Sequence, residues 1–264
     1  MKVQNKTNQA FDSSVDFYDD IHDKIDEDIK FLKELITRID NIKTILDFGC
    51  GTGRLTLPMV KTSRKVTGVD NSTSMIEVAK KKAALLNYKE ITLNFVKADM
   101  VSFVSSQLFD FIFCGFNSFQ HLLEIKEIIT FFQNTRRLMH ENSTFLIDVF
   151  NPEFMFLLDS KKEEYKDKFY STKLQREIGL FELHTYDKQS QINWITYIYK
   201  YLDGESFGQE FFRWKFPMRQ FYPQELKYII ESSNFEIMEK WGGYDFSSFD
   251  SSSQKQIILC RKTK

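Results

Sequence analysis

The sequence predicts an α/β chain, a doubly wound and mostly parallel seven-stranded sheet with a small antiparallel β insertion after the fifth strand. Three observations carry this. A short apolar run, Ile45, Leu46 and Phe48, leads into alternating glycines Gly49, Gly51 and Gly53, and a second run follows that ends in Asp70. Strand-like and helix-like periods then alternate to about residue 150, as in parallel βαβ units with right-handed crossovers. From Asn151 onward, β-branched and aromatic runs separated by turn signals replace that alternation.

Composition agrees with a folded, compact chain. Its 264 residues suffice for one large α/β domain with an insertion, or for two small domains. Apolar residues make up 42%, a globular proportion, and 27 of the residues are Phe, so a large core is expected. A net charge of −1 offers no global field for nucleic acid or an anionic membrane. Cys50, Cys114 and Cys260 are widely spaced, so reduced thiols and no metal site are expected. No apolar run reaches membrane-spanning length, and the polar start MKVQNKTNQ lacks a signal-peptide core, so a cytoplasmic location is expected.

In order, residues up to about Ser14 read as a flexible arm. Ile21, Ile25, Ile29, Leu32, Leu35, Ile36 and Ile39 keep helical spacing to Asp40, making 1–40 an arm and a lid helix. Residues 41–150 form the core. Thr44–Phe48 is a strand buried on both faces, and Leu55, Leu57, Met59 and Val60 read as a helix starting near Gly53. Lys65 to Val69 is the second strand, and Ser72 or Ser74 caps a helix to about Leu86. Ile91 to Val96 and Phe109 to Cys114 are the third and fourth strands, the latter leading into GFNSFQHL. A helix through Ile125, Ile128, Ile129, Phe132 and Leu138 follows, Glu141 and Asn142 turn the chain, and Phe145 to Val149 is the fifth strand.

Residues 151–220 are the insertion, expected to cap the substrate. After the charged stretch 161–168, strands are expected over Glu177–Tyr186, Ile192–Tyr201 and Gln209–Phe216, separated by DKQS and DGES. Residues 221–264 complete the core with a helix at Pro223–Ser232 and strands Phe235–Trp241 and Lys255–Cys260. The loop between those strands, GGYDFSSFDSSS, reads as polar and mobile.

The glycine turn gives the first chemical indication. Glycines let a backbone approach a ligand closely. A dinucleotide fingerprint needs a third glycine at position 54, which is Arg54. Asp47, two residues before Gly49, suits a ligand with an ammonium group better than a pyrophosphate. Asp70, at the tip of the second strand, can accept both ribose hydroxyls. The expected ligand therefore carries a ribose and a cationic amino-acid end. Met75 either covers a face of that ligand or is plain core.

DFGCGTG followed by Asp70 resembles motif I of the class I S-adenosylmethionine (SAM) methyltransferases, which are Rossmann-like. The resemblance implies SAM as cofactor, with Asp47, Gly49, Cys50, Gly51, Gly53, Asp70, Asn71, Met75, Asp99, Met100 and Phe116 around it. It implies that Asp99 accepts from the adenine amino group beside the Met100 backbone; the alternative is an Asp that caps its own loop. Tyr18 falls where such enzymes carry a Tyr-Asp pair over the cofactor, or it simply packs its ring at a helix start. GFNSFQHL, LIDVFNPEF and FYPQEL resemble the glycine N-methyltransferase group and the N-methyltransferases of nucleotide-linked amino sugars. Asn117 and His121 match the NSxxHL form and so border the methyl acceptor. Where the glycine enzymes place an arginine after the fifth strand this chain has Phe150, which argues against glycine as substrate. Arg213 and Arg219 are either anion contacts for the substrate or surface charges.

Methyl transfer from a sulfonium is an in-line displacement with a good neutral leaving group, so positioning and exclusion of water dominate. An amine acceptor also needs its proton taken. His121 is the candidate base, or a satisfied structural histidine, and Tyr18 is the second candidate. Phe116 or Tyr18 can face the sulfonium by cation–π contact. The expected reaction is methylation of a small molecule at nitrogen, on an amino sugar or another biosynthetic intermediate. The alternatives are oxygen methylation of a small metabolite and a SAM-binding partner protein without turnover. No base-flipping NPPY-type stretch follows the fourth strand, so no nucleic-acid partner is expected, nor a membrane partner; the chain is expected to be a monomer or homodimer.

Overall fold

A computed structural model describes residues 3–60, 64–86, 92–153, 157–160 and 162–263. Its elements run α1 (Val3–His22), α2 (Glu27–Arg38), β1 (Thr44–Phe48), β2 (Lys65–Asp70), α3 (Thr73–Ala84), β3 (Thr92–Lys97), β4 (Phe109–Cys114), α4 (Ile125–Arg137), β5 (Met139–Phe150), β6 (Glu164–Ser171), β7 (Arg176–Asp187), β8 (Ile192–Tyr201), β9 (Glu210–Arg219), α5 (Pro223–Ser232), β10 (Phe235–Trp241) and β11 (Lys255–Lys262). The chain divides into two compact units. One comprises Asp26–Asn151 and Phe221–Lys264, the other the residues up to Ile25 and Pro152–Gln220.

The larger unit holds a seven-stranded sheet in the order β10-β11-β5-β4-β1-β2-β3. β1 pairs in parallel with β2 and β4, and β11 runs antiparallel to both β5 and β10. Alternate residues of the strands feed two cores. Leu46, Phe48, Ile112, Cys114, Phe145 and Ile147 pack with α4 and α5, through Phe131, Phe132, Leu226 and Ile230. Ile45, Phe111, Phe113, Leu146 and Leu259 pack with α2, through Phe31, Leu32, Leu35 and Ile36. Burial on both faces is why these strands read as nearly continuous apolar runs. Each fully buried Phe contributes on the order of 1.5–3 kcal/mol, and most of the phenylalanines of these strands are spent here.

The smaller unit is a four-stranded antiparallel sheet, β6-β7-β8-β9, packed with α1. Phe17 of α1 meets Phe169, Tyr199 and Phe211 at ring distances of 6.3, 5.5 and 5.9 Å, and Phe11 stands edge-on to Trp214 at 5.3 Å. Polar contacts fix the same docking: the Thr172 amide donates to Asp20 (2.9 Å), Lys173 pairs with Asp16 (2.5 Å) and Lys24 with Asp167.

Several expectations are corrected. The arm is helical from Val3, because helix propagates cheaply from the packed Phe11–Ile21 face once that face is held. The leading helix is two helices broken at Asp23–Asp26, where aspartates favour caps over helix interiors. Beyond Gly53 there are turns and a short 3-10 helix, Leu57–Met59, because Pro58 disfavours α geometry at the residue before it. β5 runs unbroken through Glu141 and Asn142, and its register against β4 shifts between Phe109 and Phe111 to absorb the extra residues. The charged stretch contributes an unexpected edge strand, β6, whose lysines and glutamate suit an edge. The 242–253 loop folds on itself through Gly242 N–H to Ser247 C=O (2.8 Å) and seats Phe246 on Phe31, 4.4 Å between rings. Ile91, expected to open the third strand, lies outside the described residues.

α2 is tied to the glycine turn by a buried ion pair. Arg54 donates to both oxygens of Asp28, at 3.0 and 2.5 Å, with both side chains almost fully buried. Arg54→Met leaves Asp28 charged and unpaired and is expected to cost about 3–5 kcal/mol of unfolding free energy. Adding Asp28→Leu should recover most of that loss. Urea denaturation of the two single variants and the double variant measures the coupling, and additive losses would rule out this pair as the tie.

Candidate active site

β1 leaves the sheet through Gly49, and the turn closes onto β2: Gly49 and Cys50 N–H both donate to Val69 C=O, at 2.8 and 3.1 Å. Gly49, Gly51 and Gly53 have φ of +73°, +53° and +82°, a region that favours glycine. At Gly49 the close approach is to protein: a Cβ there would lie 2.6 Å from Ser118 Cβ, and Ser118 Oγ donates to Gly49 C=O. Asp70 at the end of β2 accepts from Gly51 N–H and Ser72 N–H, both at 2.8 Å, so its carboxylate organises the turn it borders. Ser72 in turn caps α3 by accepting from Met75 N–H at 3.1 Å. Two residues beyond β3, Asp99 accepts from Val101 N–H at 2.7 Å.

Gly49, Gly51, Asp70, Asn71, Asp99, Met100 and Phe116 remain partly accessible along the carboxyl ends of β1 to β4, where open α/β sheets bind ligands. Cys50, Gly53 and Met75 are buried behind them, and burial raises the Cys50 thiol well above its ordinary value. This edge presents carboxylates and turn amides. That donor set fits a ribose with a cationic tail and suits a polyphosphate poorly.

The chain after β4 is backbone-strained. Phe116 and Asn117 have φ of 49° and 64°, which a bulky Phe rarely adopts. A buried network beneath them compensates. Asp148 Oδ2 accepts from Phe116 N–H (3.0 Å) and from the Tyr244 hydroxyl (2.6 Å), and Asp148 Oδ1 pairs with Lys255 at 2.9 Å. Asp148 C=O accepts from Asn117 N–H at 3.1 Å. Burial, and then the Asp148 charge, push the Tyr244 hydroxyl well above its ordinary value. A 3-10 turn, Ser118–His121, follows and ends at half-buried His121. Phe119 anchors this turn against Phe131, Phe132 and Phe221, and Gln120 accepts from Phe150 N–H at 3.0 Å. One face of Phe116 carries the Arg54 guanidinium, 4.3 Å from the ring centre.

The larger unit thus brings together Asp47, the glycines, Cys50, Asp70, Asn71, Met75, Asp99, Met100, Phe116, Asn117 and His121. Tyr18, Arg213 and Arg219 belong to the smaller unit. Tyr18 stands edge-on to His22 at 4.6 Å. Arg213 donates to Glu210 (2.8 and 2.7 Å) and to Glu163 (3.2 Å). Arg219 is buried and donates to Gln191 Oε1 at 2.9 Å and Ser190 C=O at 3.3 Å. Sequence reading missed the Asp148–Tyr244–Lys255 network, although Asp148 is the one charged residue inside the apolar run FLIDVF. It also missed a buried chain in the smaller unit, in which Asn193 Nδ2 donates to His184 Nδ1 at 3.1 Å and His184 Nε2 pairs with Glu182. The available signal was Glu182 and His184 two apart on one face of β7. No group of three or more metal-ligating side chains is found among the described residues.

Asp47 is 1% exposed and accepts from the Thr56 hydroxyl at 2.6 Å. Burial is the largest influence on it and lifts the carboxyl from 3.8 to about 7, while the Thr56 bond pulls the other way. A raised carboxyl binds its proton more tightly in the folded state, so its penalty appears as pH rises from about 4 to about 7. Asp47→Asn should therefore stabilise the ligand-free protein at pH 8, by at most about 4 kcal/mol, and leave it unchanged at pH 4. Urea midpoints at the two pH values read this, and an equal difference at both would refute a buried, reluctant carboxylate.

Residues 45–142 match a family described as a methyltransferase domain. The "Putative methyltransferase" of Geobacillus sp. (strain WCH70) is 35% identical over 107 residues, 40% of this chain and 42% of that protein. The ubiquinone biosynthesis O-methyltransferase of Histophilus somni (strain 2336) is 28% identical over 117 residues, 42% of this chain and 47% of that protein. The chain therefore spans less than half the length of these curated relatives. Among solved structures, the CcbJ methyltransferase of Streptomyces caelestis superposes with a TM-score of 0.80 at 21% identity, over 98% of this chain and 99% of that one. CalS10, an amino pentose methyltransferase of Micromonospora echinaspora, gives 0.68 at 15% identity, over 90% and 91%. At these identities the structural likeness is one of fold. The matched segment runs from β1 into β5 and so contains the whole ligand-facing edge of β1 to β4; over these residues the chain is similar to methyltransferase domains.

Proposed function

We propose that the chain transfers the methyl group of SAM to the nitrogen of a small molecule, an amino sugar or related biosynthetic intermediate, in the cytoplasm. The observation that carries the reading is the accessible edge of Gly49, Gly51, Asp70 and Asp99 at successive strand ends, inside the segment that matches methyltransferase domains. SAM, when bound, supplies an electrophilic methyl on a sulfonium with a neutral leaving group.

The chain's own residues then bind, orient and move a proton. Asp70 takes the ribose hydroxyls, with Asn71 beside it, and Asp99 takes the adenine amino group next to the Met100 backbone. The negative edge favours the cationic cofactor over its neutral product. Asn117 borders the acceptor. His121, at the end of the turn after β4, accepts the proton that an attacking amine must lose. Nitrogen is supported by the match of Asn117 and His121 to NSxxHL and by the fold shared with an amino pentose methyltransferase. Oxygen methylation is the second reading, favoured by the Histophilus somni relative.

Calorimetric titration with SAM and S-adenosylhomocysteine, with NADH as control, tests the cofactor. Micromolar binding of both SAM ligands is expected, weakened about 10- to 100-fold in Asp70→Ala, as for loss of charge-assisted hydrogen bonds. No binding at millimolar ligand would break the reading. His121→Ala should lower kcat about 100-fold or more with SAM affinity within about twofold. Full activity in that variant would remove His121 as the base. SAM binding without methylation of any amine or hydroxyl acceptor would favour a non-catalytic partner role.

A further inference from the structure

The amide of Asn117 has a defined direction. A lysine ammonium carries donors only, so the Asn117 atom that faces Lys255 Nζ at 3.3 Å is Oδ1. Lys255 cannot easily turn away. It is paired with buried Asp148 at 2.9 Å and sits over the rings of Phe150 and Tyr244, at 4.5 and 4.9 Å. Asp148 is itself fixed by the Tyr244 hydroxyl and the Phe116 amide. With Oδ1 held inward, the Asn117 NH2 is left as the outward group. It has no hydrogen-bond partner among the described residues, and although Asn117 is only 6% exposed its nitrogen is not among the fully enclosed polar atoms that lack one.

We infer that Lys255 is a positioning residue that acts through Asn117. It makes the turn after β4 present a hydrogen-bond donor to the methyl acceptor. The preferred acceptor then carries a lone-pair oxygen, as hydroxyl, ether or carbonyl, next to the amine that is methylated. A freely rotating amide would serve donor and acceptor groups alike, and an Asn117 turned the other way would favour an ammonium. This inference rests on the proposed acceptor site but not on the chemistry of His121.

The experiment uses the full chain saturated with S-adenosylhomocysteine and two variants, Lys255→Arg and the charge-neutral pair Lys255→Met with Asp148→Asn. The pair is chosen because Lys255→Met alone would strand a buried carboxylate, whereas the amide oxygen introduced by Asp148→Asn still accepts from Tyr244 and Phe116. Nitrogen-15 spectra follow the Asn117 side-chain NH2 signals, assigned by their loss in Asn117→Asp. The signals should hold their wild-type positions in Lys255→Arg and move toward free-amide values in the pair, with S-adenosylhomocysteine affinity within about threefold throughout.

In parallel, kcat/KM is compared for a nucleoside-diphosphate-linked amino sugar with a hydroxyl beside the amine and for the same compound deoxygenated at that carbon. Wild type and Lys255→Arg should prefer the hydroxylated compound at least about tenfold, and the neutral pair of substitutions should reduce the preference to about twofold. Unmoved amide signals, or undiminished discrimination, in the pair would overturn the inference. Failure to bind S-adenosylhomocysteine, or to methylate either compound, would count against the proposed function instead, and the amide signals read the orientation of Asn117 in either case.

Discussion

The larger unit depends on the close contact between two turns. β1 lies in the middle of a parallel sheet with both faces buried, so it must release the chain at its tip without a side chain in the way. Gly49 does this within van der Waals reach of Ser118, the first residue of the 3-10 turn after β4. A Cβ at position 49 would displace the second turn as well as the first. The glycine turn and the His121 turn are therefore one mechanical object, although 72 positions separate Gly49 from His121.

Around that contact the protein buries charge in compensated sets. Arg54 satisfies Asp28 and covers one face of Phe116, Thr56 satisfies Asp47, and Lys255 with Tyr244 satisfies Asp148. Each set ties one of the two turns to a neighbouring element: α2, the segment after the glycines, or the loop before β11. Buried ion pairs add little net stability over apolar replacements, so their presence here is better explained by the fixed geometry they impose on the turns.

Much of this was legible in local sequence. The glycine alternation, Asp70 at a strand tip, the alternation of periods and the closing helix and strands are all signals within about ten residues, and they fall where the sequence places them. What was not legible depends on distant partners. Asp148 reads as an oddity in an apolar strand until Tyr244 and Lys255, 96 and 107 positions later, are folded against it. β6 hides in a charged stretch because an edge strand needs few apolar residues. The first turns of α1 carry no apolar period of their own, and only the packing of Phe11 and Phe17 makes them helical. Leu57–Met59 failed for the opposite reason, since the apolar spacing was helical while Pro58 ruled out the geometry.

The smaller unit is built from two pieces of chain, the residues up to Ile25 and Pro152–Gln220. During synthesis α1 leaves the ribosome before the rest of its unit, and its Phe17 face lacks the complete sheet until β9 has emerged. About 195 further residues must be made, a wait of about 10–40 s at ordinary elongation rates. Through that interval the larger unit can assemble its first five strands while an aromatic helix trails unpartnered. Growing chains, more than finished ones, would then be the population exposed to aggregation and in need of a chaperone.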